Sequence, residues 1–203
     1  MGRKLRLGIY GGTFSPPHMG HVNSAKDFMA EMKLDKLLII PDNLPPHKIF
    51  DGEASAEERL EMARLAFSEI DGCEVSDIEI RRGGKSYTYL TLEELSSEDV
   101  ELFFLCGTDM FLTLSEWRNP ERIFELASIC FVRRECDAAI GERISLLEQR
   151  YRSEYSARIF EISHAVEVIS STSLREKLKA RERCDALIPS TVYDYIIERG
   201  LYL

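Results

Sequence analysis

Two histidines stand three residues apart beside a glycine turn near the start of the chain. The 203 residues include only four histidines, and His18 and His21 both follow the turn at Gly11-Gly12 closely. Glycines let the backbone approach a phosphate, and a helix beginning here would point its first amides at the same anion. Spacing of three places both imidazoles on one face of a helix. The pattern predicts a phosphate site with two ring donors.

A second anion site is predicted about 150 residues later. The hydroxyl-rich run from Ser170 to Ser173 opens a predicted helix that carries Arg175 one turn in. Helix amides, hydroxyls and the helix dipole favour an anion there, and an arginine adds a charge-assisted donor. Ordinary capping also explains such a run of hydroxyls, so the sequence leaves both explanations open.

Two loops carry further candidates. His47 and Lys48 lie in a proline-rich loop after a predicted strand, where α/β sheets bind ligands, although the composition equally fits a solvated turn. Trp117, the only tryptophan, lies in a predicted loop and either covers the core or offers a flat surface for an aromatic ring. His164 is predicted to be a turn residue without a functional role.

The elements that position these residues alternate between strand and helix patterns. Apolar runs at 5–10 and 37–40, separated by helical spacing from about His18, predict a βαβ unit with a right-handed crossover. Further strands are predicted at 73–80, 101–106, 129–132 and 166–169, with another short apolar run at 159–162. We therefore expect one α/β domain over 1–203, doubly wound and mostly parallel, with helices on both faces and a helical part from about 170.

Two predictions concern helix ends. Ser55 and Glu58 form a capping box for a helix in which Arg59 lies among the polar residues. Ser86 or Thr88 is expected to cap the helix that follows.

Composition excludes several classes of protein. A net charge of −9 argues against a general nucleic-acid binder, and no apolar run approaches the roughly 20 residues of a membrane helix. The five cysteines are odd in number, widely spaced and without a C-x-x-C pair, which indicates neither a zinc site nor a disulfide scaffold. Cys106 and Cys130 are predicted to be reduced core residues, and we expect a cytoplasmic location.

Several motifs together resemble a known family. The Gly-Gly-Thr-Phe stretch with His-x-Gly-His, and Ile-Ser-Ser-Thr-x-Leu-Arg at 169–175, resemble the two signatures of the nucleotidyltransferases with a His-x-Gly-His motif. Other pieces resemble the bacterial nicotinate-nucleotide adenylyltransferases in particular: Pro-Pro-His-Lys at 45–48, Ser-Tyr-Thr at 86–88, Gly-x-Asp at 107–109, Trp117 with Arg118, and Val192-x-x-Tyr195-Ile196. The resemblance spans essentially the whole chain and implies a Rossmann-like sheet.

The resemblance implies a reaction of ATP with nicotinate mononucleotide that gives deamido-NAD and pyrophosphate, with Mg²⁺ carried on the ATP phosphates and no metal ligand on the protein. The catalytic residues it implies are His18, His21, Lys48 and Arg175. Those implied for ATP are Gly11, Gly12, Thr13, Phe14, His18, His21, Gly107, Asp109, Ser171, Thr172 and Arg175. Those implied for nicotinate mononucleotide are His47, Lys48, Tyr87, Thr88, Trp117 and Arg134.

The expected partners are these two substrates, without nucleic acid or membrane, and a homo-oligomer is left open. The chain departs from the family pattern at Ser15, where aspartate is frequent, at Leu90 and at 133–136. Two other enzyme activities stay open, on nicotinamide mononucleotide and on phosphopantetheine, although phosphopantetheine adenylyltransferases have no need of Trp117. A catalytically silent nucleotide-binding regulator is a third alternative, disfavoured by the intact histidines, Lys48 and Arg175.

Overall fold

A computed structural model describes residues 2–46, 53–133, 137–163, 169–184 and 186–203. The predicted site residues His47, Lys48 and Arg134 lie outside these ranges, as does His164. The strand predicted at 166–169 also lies outside them, except for Ile169, which is not in a strand.

Strands and helices alternate along most of the chain. The strands are β1 Leu5–Gly12, β2 Lys36–Pro41, β3 Cys73–Val75, β4 Val100–Gly107, β5 Ala127–Val132 and β6 Ile159–Ile162. The helices are α1 Met19–Glu31, α2 Ala56–Phe67, α3 Ile78–Arg82, α4 Thr88–Leu95, α5 Thr108–Phe111, α6 Pro120–Leu126, α7 Ala138–Tyr155, α8 Ser171–Lys179 and α9 Ser190–Arg199, with a 3₁₀ turn at Leu114–Glu116.

The six strands form one parallel sheet in the order β3-β2-β1-β4-β5-β6. Leu5 pairs with Val100, Leu102 with Ala127, and Ile129 with Ile159. The strands β1, β4, β5 and β6 are therefore successive parallel neighbours. The expected α/β class is confirmed. The strand order reverses direction between β1 and β4, and open sheets bind ligands beyond the carboxyl ends of strands at such a switch point. The segment after β1 and the segment after β4 are therefore each a candidate ligand-binding segment.

The chain divides into two structural units, each built from three separate segments. The first unit comprises Met1–Gly11, Asp27–Leu37 and Tyr87–Val166, and the second comprises Gly12–Lys26, Leu38–Ser86 and Glu167–Leu203. The single domain expected over 1–203 stays a prediction.

A cluster of aromatic rings fixes the first unit. Phe111 stacks on Phe131 with ring centroids 4.4 Å apart, and Tyr151 meets Phe111 edge-on at 5.4 Å. The buried hydroxyl of Tyr151 donates to the carbonyl of Phe111 at 3.1 Å, so its polar atom is satisfied. The cluster joins α5 and α7 to β5, and it holds the segment that follows β4 in place.

The predicted strand at 73–80 is wrong beyond Val75. The chain turns at Ser76, whose amide donates to Ile39 of β2 at 2.9 Å, and it continues as α3. Arg81 pairs with Asp77 at 2.9 Å, a contact that helical spacing of four provides. Val75 and Ile78 are three residues apart, a spacing that fits a helix as well as it fits imperfect alternation.

One of the two predicted helix caps is confirmed. The Ser55 hydroxyl accepts the Glu58 amide at 3.1 Å, and the Glu58 carboxylate accepts the Ser55 amide at 2.7 Å, a complete capping box. Neither Ser86 nor Thr88 caps α4, because Tyr87 is the N-cap residue. The Ser86 hydroxyl instead accepts the amide of Asn43 at 2.9 Å.

The four described cysteines are thiols and form no disulfide among themselves, and Cys106 and Cys130 are buried as predicted. Burial raises the pKa of the Cys73 thiol to about 12, and burial also raises that of Cys130. Neither thiol is a nucleophile near neutral pH. Within the described ranges, no helix is long and apolar enough to cross a bilayer.

Candidate active site

The loop that follows β1 packs closely against a ring of its own. A Cβ on Gly12 would lie 3.1 Å from the ring of Phe14, so a larger residue there would displace that ring. Phe14 has a left-handed backbone with φ of 49°, and the peptide between Ser15 and Pro16 is cis. The amide of Asp42, just after β2, donates to the Gly12 carbonyl at 3.0 Å. The glycine turn is thus tied to the end of the neighbouring strand.

The two histidines meet face to face. His18 precedes α1, and its carbonyl accepts the amide of His21 at 2.9 Å, so the pair spans the helix start rather than one face of the helix. Their ring centroids are 3.7 Å apart with the planes 28° from parallel. The His18 amide donates to Nδ1 of His21 at 3.2 Å, which orients that ring.

His18 is the more enclosed of the pair, with 2% of its surface exposed, whereas His21 is half-buried. The His18 ring lies against Gly20, where a Cβ would approach within 3.1 Å of two ring atoms. Gly20 is therefore the residue of the His-x-Gly-His motif that makes room for the first imidazole. The ring of His21 also meets Phe14 edge-on at 5.1 Å.

The hydroxyl-rich start of α8 contacts the loop after β1. The Ser171 hydroxyl donates to the carbonyl of Pro16 at 3.0 Å, across 155 positions of sequence. Arg175 donates to the carbonyl of Ser15 at 2.8 Å and to the hydroxyl of Thr172 at 3.4 Å. The two predicted anion sites are therefore parts of one assembly in the second unit.

The capping explanation for these hydroxyls holds for one residue only. Ser170 is the N-cap, and its hydroxyl accepts the amide of Ser173 at 3.1 Å. Ser171 points at the loop instead, and Thr172 lies beside the guanidinium of Arg175. The Ser173 hydroxyl donates to the Ser170 carbonyl at 3.1 Å. The four hydroxyls thus divide into two that bond each other's residue at the cap and two at the candidate anion site.

Arg59 is a site residue that sequence reasoning missed, because it was placed among the polar residues of α2. Its side chain is 1% exposed and donates to Asp42 Oδ1 at 2.9 Å, to the carbonyl of Thr13 at 2.9 Å and to that of Asn43 at 3.0 Å. The signal was present in the spacing: Arg59 lies on the same buried stripe of α2 as Met62, Ala63 and Ala66.

The residues next to the chain end also contact the loop. The Tyr202 hydroxyl lies 2.9 Å from the hydroxyl of Ser15, and the tyrosine is 3% exposed. Burial raises the pKa of Tyr202 to about 12. Ser15 is the position where the resemblance makes aspartate frequent, and in this chain its short hydroxyl joins the loop to Tyr202. Sequence reasoning gave no role to either side of this contact.

In the first unit, the segment after β4 holds the predicted residues Gly107, Asp109 and Trp117. Gly107 is the N-cap of α5, and Thr108 is buried with its hydroxyl donating to Val132 at 3.1 Å. Asp109 is exposed, and its carbonyl accepts the Thr113 hydroxyl at 3.4 Å. The indole N–H of Trp117 donates to that same hydroxyl at 3.4 Å, so Thr113 links Asp109 to Trp117.

Trp117 follows the 3₁₀ turn in a loop, as predicted, and meets Phe104 of β4 edge-on at 6.2 Å. Its ring is half-buried. Tyr87 and Thr88 lie at the N-terminal end of α4 and are also half-buried. The side chain of the N-cap residue Tyr87 forms no capping hydrogen bond to α4. The first amides of an α-helix have no partner within the helix, which makes this end a candidate site for an anion.

The described residues contain no group of three or more histidine, cysteine, aspartate or glutamate side chains that could hold a metal ion. Asp42 is the carboxylate next to the loop after β1, and both of its oxygens are engaged, Oδ1 by Arg59 and Oδ2 by the Thr13 hydroxyl at 2.7 Å. Asp42 therefore connects the loop after β1 to α2.

Comparison with known proteins places this geometry in a family. Residues 9–177 match the family model described as cytidylyltransferase-like. A protein of Desulfatibacillum aliphaticivorans, named probable nicotinate-nucleotide adenylyltransferase, is 38% identical over 219 residues, which cover 98% of this chain and 100% of that protein. This chain belongs to the nicotinate-nucleotide adenylyltransferase family. A second member, from Clostridium botulinum, is 34% identical and covers 97% of the chain and 98% of its own length.

Solved structures show the same fold. A nicotinic acid mononucleotide adenylyltransferase of Plasmodium falciparum, in complex with NaAD, superposes with a TM-score of 0.72 at 18% identity and covers 97% of each chain. The same enzyme complexed with APC gives a TM-score of 0.70 at 17% identity, with 98% of each chain covered. At this identity the likeness concerns the fold, and it agrees with the strand order described above.

As a nicotinate-nucleotide adenylyltransferase family member, the chain is a nucleotidyltransferase. Its second unit brings together most of the residues expected to bind ATP, namely Gly12, Thr13, Phe14, His18, His21, Ser171, Thr172 and Arg175. Its first unit holds the other described candidates, namely Gly11, Tyr87, Thr88, Gly107, Asp109 and Trp117.

Proposed function

We propose that this chain transfers the adenylyl group of ATP to nicotinate mononucleotide, giving deamido-NAD and pyrophosphate. The observation that carries the proposal is the contact of α8 with the loop after β1, through Ser171 and Arg175. It combines backbone amides, hydroxyls, imidazoles and a guanidinium in one unit, which is the chemistry that a triphosphate requires. Relatives that are 34–38% identical over full length are named as probable nicotinate-nucleotide adenylyltransferases, which supports the same reaction.

The proposed reaction needs no general base. The phosphate of the mononucleotide is already ionised near neutral pH, and one of its oxygens attacks the α-phosphorus of ATP in line. The new P–O bond forms as the bond to the β-phosphate breaks, and pyrophosphate leaves with the electron pair. The protein aligns the reactants and stabilises the charge that develops on the α-phosphate and the leaving group.

The predicted ATP-binding residues of the second unit, together with Gly11 of the first, have proposed roles in that charge stabilisation. His18 and His21 donate to the triphosphate, the turn at Gly11-Gly12 gives clearance, and Thr13 and Phe14 contribute backbone contacts. Ser171, Thr172 and Arg175 hold the pyrophosphate as it leaves. Because His21 is the more accessible imidazole, it is the ring that first meets the phosphate. Lys48 is proposed to bridge toward the reacting phosphates.

Mg²⁺ is proposed to arrive with ATP, bound to phosphate oxygens and water. The residues present fit this arrangement, because Asp42, a carboxylate that contacts the loop, is occupied by Arg59 and Thr13. When bound, the ion supplies charge neutralisation on the phosphates.

Residues of the first unit are proposed to select the acceptor. Trp117 stacks on the pyridine ring, and the first amides of α4, at Tyr87 and Thr88, meet the nicotinate carboxylate. A helix N-terminus favours a carboxylate over a neutral amide, which gives a physical route to preferring nicotinate over nicotinamide. Gly107 and Asp109 are proposed to contact the ATP nucleoside, and His47 and Arg134 the mononucleotide phosphate.

A cytoplasmic location is proposed as well. The described cysteines are thiols, and the two in β4 and β5 are buried, which fits a reducing compartment. The proposed reaction also consumes ATP, which is available in the cytoplasm.

The deciding experiment measures pyrophosphate release from ATP with three acceptors side by side: nicotinate mononucleotide, nicotinamide mononucleotide and phosphopantetheine. We expect the highest kcat/KM with nicotinate mononucleotide. The variant Arg175→Ala serves as the impaired control, and Lys177→Ala, two positions along α8 and paired with Glu182, serves as the matched active control. Faster release with phosphopantetheine, or release with none of the three, contradicts the proposal.

A further inference from the structure

The amino-terminal edge of the sheet in the first unit carries a second concave surface. A cavity of about 860 Å³ is lined there by five cations, Arg3, Lys4, Arg6, Lys33 and Arg158. Arg3 and Lys4 precede β1, Arg6 is its second residue, and Arg158 directly precedes β6. The cavity therefore lies at the amino-terminal ends of these strands. Its volume falls within the range of small-molecule sites.

The acidic residues around this cavity already have partners. Glu101 accepts from Arg6 at 2.8 Å, Glu125 accepts from Arg122 at 2.7 Å, and Asp35 pairs with Arg3. These pairs leave Lys4, Lys33 and Arg158, none of which has a carboxylate oxygen within 4.0 Å among the described residues. Arg122 also pairs with Glu93 at 2.8 Å, so Glu125 is only partly compensated. The concave surface still carries an excess of positive charge, in a chain whose net charge is −9.

One of these cations is held in a defined orientation. The Nε of Arg158 donates to the hydroxyl of Ser128 at 2.9 Å, and Ser128 is 1% exposed. The two terminal amino groups of Arg158 donate to no described residue of the protein, while the residue is exposed. A guanidinium anchored at Nε presents its other edge as a fork, which is the geometry that binds two oxygens of a phosphate.

Arg6, which also lines this cavity, is held as firmly. Its Nε and one terminal nitrogen donate to the carbonyl of Met32 at 3.0 and 2.8 Å, and its guanidinium lies 4.4 Å over the ring of Phe103. The same arginine donates to Glu101 at 2.8 Å, so its charge is already compensated. It therefore shapes the wall of the cavity, and the lysines and Arg158 provide the binding charge.

We infer that this cavity binds a pyrophosphoryl group, separately from the ATP site. A single phosphate would neutralise only part of the charge from Lys4, Lys33 and Arg158, whereas linked phosphates carry enough negative charge for all three. The apolar lining from Val100, Leu102 and Leu126 can cover an uncharged part of the same ligand. A pyrophosphoryl group occurs in inorganic pyrophosphate, in nucleoside triphosphates and in dinucleotides, and the test separates these sources.

Isothermal titration with inorganic tripolyphosphate tests the inference by counting sites. The expected result for the unmodified chain is two classes of site, one at the ATP assembly and one at this cavity. The double variant Lys33→Gln/Arg158→Gln should weaken one class by about tenfold or more, because two charged donors are lost. Its turnover should stay unchanged, since neither residue belongs to the proposed active site.

A matched control changes one lysine and one arginine elsewhere. Lys26→Gln/Arg143→Gln removes the same charge from exposed positions on α1 and α7, and it should retain both classes of site. Equal affinities for the two double variants would overturn the inference, because the effect would then be general charge. A single class of site in the unmodified chain would overturn it as well.

Further titrations identify the ligand. Pyrophosphate, ATP and NAD each present the pyrophosphoryl group, and the one bound most tightly at the site lost in Lys33→Gln/Arg158→Gln is its source. Orthophosphate binding as tightly as tripolyphosphate at that site would contradict the requirement for linked phosphates. Equal binding of a triglutamate peptide would contradict a phosphate ligand and indicate an acidic protein segment instead.

Discussion

The guanidinium of Arg59 and the carboxylate of Asp42 form an ion pair 2.9 Å apart, with only 1% of the arginine side chain and 12% of the aspartate side chain exposed. The same arginine donates to the carbonyls of Thr13 and Asn43. A residue of α2 thereby fixes the loop after β1 and the end of β2 at once. Arg59 touches backbone oxygens rather than an exposed surface, so we class it as a positioning residue.

Arg59→Met is expected to destabilise the fold by roughly 3–5 kcal/mol, because it leaves a buried carboxylate without its charged partner. Denaturant unfolding measures the change. The double variant Arg59→Met/Asp42→Asn should recover part of the loss, since it removes the stranded charge. If the single and double variants are equally stable, the ion pair does not hold the loop.

At temperatures where Arg59→Lys stays folded, we expect a raised KM for ATP, because lysine cannot reach three acceptors at once.

Replacement of either stacked imidazole should slow the reaction. His18→Ala and His21→Ala are each expected to lower kcat by about 10²–10³-fold. This corresponds to about 2.7–4 kcal/mol of lost transition-state stabilisation, as for the loss of one oriented donor. Steady-state turnover is the measurement, with thermal unfolding as the control because His18 is buried. Unchanged turnover in a folded His21→Ala variant would remove the role assigned to the more accessible ring.

Arg175 distinguishes the terminal phosphates of ATP from the rest of the nucleotide. Arg175→Ala should weaken ATP about tenfold or more and leave AMP binding nearly unchanged, because AMP lacks the phosphates that this donor would hold. Calorimetric titration of both nucleotides makes the comparison. Lys177→Ala on the same helix should bind both nucleotides as the unmodified chain does, since Lys177 pairs with Glu182. Equal weakening of ATP and AMP by Arg175→Ala would place the guanidinium elsewhere on the nucleotide.

Trp117 should affect the acceptor alone. Trp117→Ala is expected to raise the KM for nicotinate mononucleotide much more than the KM for ATP, because the stacking surface for the pyridine ring is lost. Trp117→Phe keeps an aromatic face and should restore most of the affinity. Equal changes in the two Michaelis constants would show that the tryptophan is not the platform for the ring.

Tyr202 predicts a loss of stability in alkali. Its pKa is about 12 in the folded chain, raised by burial, while an unfolded tyrosine titrates near 10. The buried phenol therefore stabilises the fold fully below about pH 10, and that contribution is lost as the pH rises through about 12. The two-unit shift corresponds to at most about 2.7 kcal/mol.

The measurement compares denaturant unfolding of the unmodified chain and of Tyr202→Phe between pH 9 and 12. Phenylalanine does not titrate, so the variant should lose less stability over this interval, while the other tyrosines and cysteines contribute equally to both proteins. Parallel curves would mean that Tyr202 is not held neutral by the fold.

The hydroxyl of Ser15 is the partner of Tyr202 in the loop after β1. Ser15→Ala removes this partner and should lower kcat/KM, because the contact positions the loop.

Local pattern was sufficient for much of the framework. Apolar runs at β1, β2, β4 and β5 predicted parallel strands, because strands buried on both faces consist almost entirely of apolar side chains. The capping box at Ser55 was also readable, since both of its partners lie within one turn of helix. The pattern failed at 73–80, where a spacing of three served helix and strand equally.

The sequence by itself determined which residues could bind phosphate, because glycine turns, paired imidazoles and hydroxyl-rich helix starts have chemistry that is local. Tertiary structure alone decided which of them meet. Only the folded chain places Arg175 on Ser15 across 160 positions, buries Arg59 behind the same loop, and joins Ser15 to Tyr202. These contacts depend on long-range packing, and no spacing along one segment specifies a partner on another.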